Sequence, residues 1–204
     1  MRRRLPIGIQ TFAEIRGGDY YYVDKTGLAR QLVQEDKYYF LSRPRRFGKS
    51  LFLDTLAALF AGHESLFRGL QIHPHWDWQT RYPVIRLSFA EGVLRDRTEL
   101  DRRIHDLLRI NREALDIAAY PELDVAGSLG ELIRRTHTHH GQRVVVLVDE
   151  YDKPILDNLG DPAIAREMRE GLRNLYSVIK GLDAHLRFAF LTGVSQFSKV
   201  SLFS

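Results

Sequence analysis

Five consecutive apolar residues, Val144 to Val148, run directly into Asp149 and Glu150 in the stretch "RVVVLVDE". A strand that alternates polar and apolar residues needs one covered face, whereas an unbroken apolar run needs two. Such a strand belongs inside a mainly parallel sheet with helices on both sides, which narrows the chain to the α/β layered folds. The two carboxylates then fall at the strand's C-terminal end, where parallel sheets bind their ligands.

The rest of the chain supplies matching elements. "YYFLS" (Tyr38 to Ser42) is a short strand stopped by Pro44, and Phe52, Leu53, Leu56, Leu59 and Phe60 then recur at helical spacing until Gly62 ends the pattern. "PVIRLSF" (Pro83 to Phe89) is a second strand, followed by a helix marked by Leu100, Ile104, Leu107, Leu108 and Leu115. A shorter helix around Leu129 to Arg135 leads through Gly141 to the apolar run. Beyond Pro162, Ile164, Met168, Leu172, Leu175, Ile179 and Leu182 mark a long helix, and "LRFAFLT" (Leu186 to Thr192) closes the series as a strand. Residues 1–37, with "YYYVDKTGLARQLVQED", read as a strand into a helix packed beside a core formed by residues 38–204, and Asp24 or Thr26 is available as the cap. No repeat, low-complexity tract or linker divides the chain.

Composition restricts the setting. At 204 residues the chain can bury a full core as one domain or two small ones, and 44% hydrophobic with 27% charged residues is ordinary for a soluble protein. The absence of cysteine excludes a disulfide framework and a cysteine-ligated zinc site, and it points to a reducing cytoplasm. No apolar run reaches the ~18 residues of a membrane span, and "MRRRLPIGIQ" lacks the apolar region of a secretory signal, so no membrane partner is expected. Thirty Lys and Arg against 26 Asp and Glu leave only +4, so the local clusters Arg2 to Arg4 and Arg43/Arg45/Arg46 carry more weight than the total.

"FLSRPRRFGKSLFLDTL" holds the chemistry. A phosphate cradle needs inward-pointing amides at a helix start, a lysine that reaches the terminal phosphates, and a hydroxyl for magnesium. Gly48, Lys49 and Ser50 supply these in order between a strand and an amphipathic helix, but Arg43 stands where the G-x-x-x-x-G-K-[ST] pattern has its first glycine. Pro44 fixes φ just after that position, and Arg45 and Arg46 add positive charge beside an anion. Taken alone, the loop also reads as a solvated basic turn or a nucleic-acid contact.

Asp149 and Glu150 shift the balance. An aspartate that orients magnesium through water, followed by a carboxylate that polarises the attacking water, is what a magnesium-dependent nucleoside triphosphatase needs at the end of its second strand. The plainer reading is a pair of carboxylates capping the turn after a buried strand. At the end of the fourth strand, Thr192, or Ser195 a little further on, falls where a polar group could sense the γ-phosphate; otherwise Thr192-Gly193 is a strand end with a glycine turn. His137, His139 and His140 sit at a helix end, where basic residues suit the dipole better than a metal. Trp76 and Trp78 read as packing residues rather than a base-stacking platform, and Tyr20 to Tyr22 as edge-strand aromatics rather than flanks for an adenine ring.

With these residues in hand, the chain resembles the bacterial and archaeal AAA-ATPase-like family, whose members carry this arginine-rich loop. The resemblance runs from "LPIGIQTFAEIR" through "YYVDKTGL", the loop, "YPVIRLSF", "VVVLVDEYDKPI" and "FLTGVSQFSKVSLFS". It implies that arginine in the first-glycine position is a normal form of the loop. It further implies a P-loop three-layer sandwich of the additional-strand, catalytic-glutamate class that binds ATP and Mg2+. The nucleotide-binding set would be Arg45, Arg46, Phe47, Gly48, Lys49, Ser50 and Leu51, with Ser50 and Asp149 on the metal and Glu150, Lys49 and Thr192 as catalytic groups. Members are commonly longer and often end in a PD-(D/E)XK nuclease-like domain.

Because this chain stops at Ser204, the core is expected to be incomplete. A later strand, a lid and an activating arginine from a helical subdomain or a neighbouring subunit would be missing, leaving one sheet edge unpaired. Such an arginine contributes roughly 10³ to 10⁵ in rate. The leading reading is ATP binding and hydrolysis that drives or gates a C-terminal effector. The alternatives are a non-hydrolysing nucleotide switch and, third, a basic nucleic-acid-binding domain, which leaves Asp149-Glu150 unexplained.

Overall fold

A computed structural model describes residues 3–121 and 123–195. Four strands, β1 (Tyr38–Ser42), β2 (Val84–Ser88), β3 (Val144–Asp149) and β4 (Leu186–Gly193), form one sheet in the order β1-β4-β3-β2. Every neighbouring pair is parallel, with Leu41 beside Thr192, Ser88 beside Asp149 and Val148 beside Leu191. The C-terminal ends of all four strands therefore lie along one rim.

The apolar run behaves as its composition requires: all six residues of β3 are buried. Its pleat divides them between two cores. Val144, Val146 and Val148 pack with α4 (Arg97–Ala114), α5 (Val125–His140), the short α6 (Lys153–Leu156) and α7 (Pro162–Gly181) on one face. Val145 and Leu147 pack with α1 (Phe12–Gly17), α2 (Thr26–Glu35) and α3 (Lys49–Phe60) on the other. The result is an α/β fold with helices on both sides of a parallel sheet, as in P-loop nucleoside triphosphatases.

Helix boundaries follow local chemistry. α3 buries Leu53, Leu56, Leu59 and Phe60 and stops where Gly62 takes φ +74°. Asp96 starts α4 by accepting from Glu99 N at 2.8 Å, and Asp161 starts α7 by accepting from Ala163 N and Ile164 N. α5 is longer than the Leu129 to Arg135 segment expected, because Asp124 caps it at Gly127 N and Gly141 closes it at φ +63°. Its glycines and histidines dilute the apolar spacing that would reveal those extra turns.

The N-terminal residues depart from expectation. Tyr20 to Tyr22 form no strand: Tyr20 makes a single bridge to Arg4, and Tyr21 is exposed. Tyr22 instead packs edge-on to Phe12, which opens the short helix α1, too brief to show a period in the sequence. Neither Asp24 nor Thr26 caps α2: Lys25 holds the capping position without a side-chain cap, and Asp24, one residue earlier, accepts from Thr26 N at 2.8 Å and Thr26 Oγ1 at 2.6 Å. Phe12, Ala29 and Val33 then join the core beneath α3. At the opposite end of the sheet from β2, β1 pairs with β4 alone among the described residues. No helix among them is long and apolar enough to cross a membrane.

Candidate functional site

The rim holds two polar constellations. Between β1 and α3, residues 43–48 are exposed, and two of them take left-handed conformations, Arg46 at φ +64° and Gly48 at φ +76°. Alternation of this kind turns successive amides towards a common concavity that suits anions. A Cβ built on Gly48 would meet no protein atom within 4 Å, so on protein grounds the glycine serves the backbone angle. Among the described residues no side chain caps α3, and its first intrahelical bond at this end is Phe52 N to Gly48 O. The amides of Lys49, Ser50 and Leu51 thus lack intrahelical acceptors, at the positive end of a twelve-residue helix.

Lys49 is nearly buried, and its ammonium donates to Arg43 O at 3.0 Å and Pro44 O at 3.1 Å, lying across the loop. Arg45, Arg46 and Phe47 stand exposed around it, whereas the Leu51 side chain leans on the core.

The second constellation follows β3. Asp149 is almost buried, and its Oδ1 accepts from Thr192 Oγ1 at 2.5 Å and from Glu150 N at 3.1 Å. Glu150 is half-buried and left-handed at φ +51°, an uncommon conformation for a residue with a Cβ. Thr192 is fully buried, so its hydroxyl acts through Asp149. Ser195, the other polar group considered beyond β4, is engaged by Asp152.

A cavity of about 260 Å³ joins one residue of each constellation, Ser50 and Asp149, whereas Lys49, Glu150, Thr192 and the exposed loop residues 43–48 do not line it. Asp54, Arg86, Ser88 and Glu91 line it too, and Arg86 Nη1 pairs with Asp54 Oδ1 at 2.7 Å. One carboxylate and one hydroxyl are a sufficient protein share for magnesium, which completes its octahedron with waters and substrate phosphates. Among the described residues no group of three or more His, Asp or Glu is arranged to hold a metal by itself.

Tyr151 and Asp152, directly after the carboxylates, were not legible as site residues. Both are buried, and Tyr151 packs edge-on to Phe40 of β1. A Cβ on Gly193 would sit 2.1 Å from Tyr151 Cε1 and 2.7 Å from Asp152 Oδ1. Gly193→Ala should therefore destabilise the fold by about 1–3 kcal/mol, read from urea unfolding. Gly181→Ala, where a Cβ meets nothing at the end of α7, serves as the control and should not.

The remaining clusters have structural explanations. His137 Nδ1 faces His185 Nδ1 at 2.9 Å, and His140 Nε2 sits on Leu115 O. Trp78 donates to His73 O and packs against Phe67, and Trp76 packs edge-on to Phe60. Arg4 stacks over Tyr20. Arg2 and residues 196–204, which include "FSKVSLFS", lie outside the described residues.

Comparison with known proteins gives the family. Over all 204 residues the chain is 67% identical to an uncharacterized protein in the vnfD 5' region of Azotobacter chroococcum mcd 1. The chain spans 39% of that relative's length. No solved structure matches it. A family model described as a predicted AAA-ATPase matches residues 6–203, and the chain accordingly belongs to the AAA-ATPase-like family.

Proposed function

We propose that this chain binds ATP with magnesium and hydrolyses it to ADP and phosphate. The observation that carries the reading is the shared cavity: Ser50, at the uncapped start of α3, and Asp149, at the end of β3, line the same space. The free amides of α3 and the Lys49 ammonium take the β- and γ-phosphates, and Arg45 and Arg46 add charge at the mouth. Ser50 and Asp149 would hold magnesium, which would supply positive charge against the phosphate oxygens. Glu150 accepts a proton from water as that water attacks the γ-phosphorus and the bond to the ADP oxygen breaks. Thr192 keeps Asp149 oriented through the 2.5 Å hydrogen bond.

Calorimetric titration of Mg-ATP into the 204-residue chain, with phosphate release measured in parallel, tests the reading. Saturable binding that is lost with excess EDTA is expected. Absence of binding by a folded sample would remove the nucleotide reading. Coupling of hydrolysis to an effector elsewhere in a longer protein is part of the same proposal and rests on the family resemblance. The exposed arginines at 43, 45 and 46 sustain the nucleic-acid reading. That reading predicts steeply salt-dependent binding, indifferent to nucleotide and lost in Arg45→Ala/Arg46→Ala.

A further inference from the structure

Residues 192–195 form a strap that is tied on both sides. Towards the phosphate loop, Ser42 Oγ donates to Val194 O at 2.9 Å and Arg43 N donates to Gly193 O at 3.2 Å. Towards the end of β3, Tyr151 N donates to Thr192 O at 3.0 Å, and the Tyr151 hydroxyl to Ser195 O at 3.1 Å. The densest hold is Asp152, whose Oδ2 accepts from Val194 N at 2.9 Å, Ser195 N at 2.6 Å and Ser195 Oγ at 2.5 Å.

Asp152 is 1% exposed, and taking a carboxylate out of water is costly unless its bonds are good. Three donors converging on one oxygen satisfy that condition, and they leave the strap one position. Among the described residues, the other oxygen, Asp152 Oδ1, and the Tyr176 hydroxyl of α7 are both buried without a hydrogen-bond partner. Burial, then the neighbouring Tyr151 and Asp152, hold the Tyr176 hydroxyl well above its usual pKa, so it stays protonated beside the carboxylate. A turn that merely reversed the chain would need none of this. The strap lies between the loop that carries Lys49 and the turn that carries Asp149 and Glu150.

We infer that Asp152 is a positioning residue for hydrolysis: by anchoring residues 194–195 it sets the spacing between the phosphate loop and the Asp149-Glu150 pair. The inference rests on the ATPase reading and adds a residue to it. Lys49 and the α3 amides, which carry most of the grip on phosphate, make no bond to Asp152, so Mg-ATP binding should suffer far less than turnover although Asp149 shares in it. Glu150 and the Thr192-held Asp149 depend on the strap, and a misplacement of about 1 Å lowers turnover about 100-fold.

The test compares Asp152→Asn, Ser195→Ala and the double variant with the parent chain, measuring the Mg-ATP Kd by calorimetry, kcat by phosphate release, and amide exchange at Val194 and Ser195. Asp152→Asn keeps the shape but removes the charge that strengthens three bonds. Its kcat should fall about 10- to 100-fold with Kd within about threefold, and the two amides should exchange faster. Ser195→Ala should cost less alone and add little to Asp152→Asn, because both act through one oxygen. A parent that binds but retains its kcat in Asp152→Asn overturns this inference alone. Equal losses in Kd and kcat with a lowered Tm overturn it in favour of a purely structural role. A folded parent that neither binds nor hydrolyses Mg-ATP overturns the ATPase reading, and the inference with it.

Discussion

Lys49→Ala is expected to lower ATP turnover by about 10²–10³ and to weaken Mg-ATP binding until saturation is lost, with the fold intact. The ammonium is the one side-chain cation of the loop already held inward, bonded to Arg43 O and Pro44 O. Phosphate oxygens entering the concavity would take those donors over, and a positioned cation removed from such a site typically costs about 3–4 kcal/mol of transition-state stabilisation. Stability should change little. The two carbonyls that lose a donor belong to exposed residues and can turn to water, so the effect on folding should stay within about 0.5 kcal/mol. Titration of Mg-ATP into both proteins, beside thermal melts of each, checks the prediction. Parental binding by Lys49→Ala would show that the loop is a basic turn resembling a cradle. Arg45 and Arg46 stay in place in this variant, so general positive charge cannot account for a loss.

The expected loss depends on a site that was only partly legible in the sequence. β3 was readable because five apolar residues in a row have no other use, and the GKS triplet drew attention because its three residue types at fixed spacing are those a phosphate cradle calls for. Both features are local. What escaped reading was set by distant contacts: Asp152 looks like any acidic turn residue until Val194 and Ser195 are folded onto it, 42 and 43 positions away. Tyr20 to Tyr22 show the converse. Three aromatic residues favour a strand locally, yet among the described residues no strand lies beside them and only the Arg4 bridge forms. Thr192 was placed correctly at the strand end, but the direction of its hydroxyl, onto Asp149, depends on the β3–β4 pairing.

Glu150 offers the sharper test, because its two properties pull in opposite directions. Its φ of +51° costs about 1–3 kcal/mol for a residue with a Cβ, and the surrounding contacts impose it. β3 must turn at once if Tyr151 N is to reach Thr192 O and Asp152 is to reach the strap, and Glu150 takes up that turn. Glycine would relieve the strain. Asp19 and Asp116 take the same conformation, so the strain alone assigns no role, and the proposed one as base rests on the place of Glu150 beside Asp149. Glu150→Gln keeps the shape and the backbone angle while removing the base, and should lower turnover about 10²–10⁴ with Mg-ATP binding and Tm close to parental. Glu150→Gly should lose turnover similarly but melt higher, by about 2–4 °C for each kcal/mol of strain released. Phosphate release and thermal unfolding of the three proteins separate the cases. Parental turnover in Glu150→Gln would move the base elsewhere. Absent turnover in every form, with binding intact, would make the chain a nucleotide switch whose strained glutamate senses the γ-phosphate.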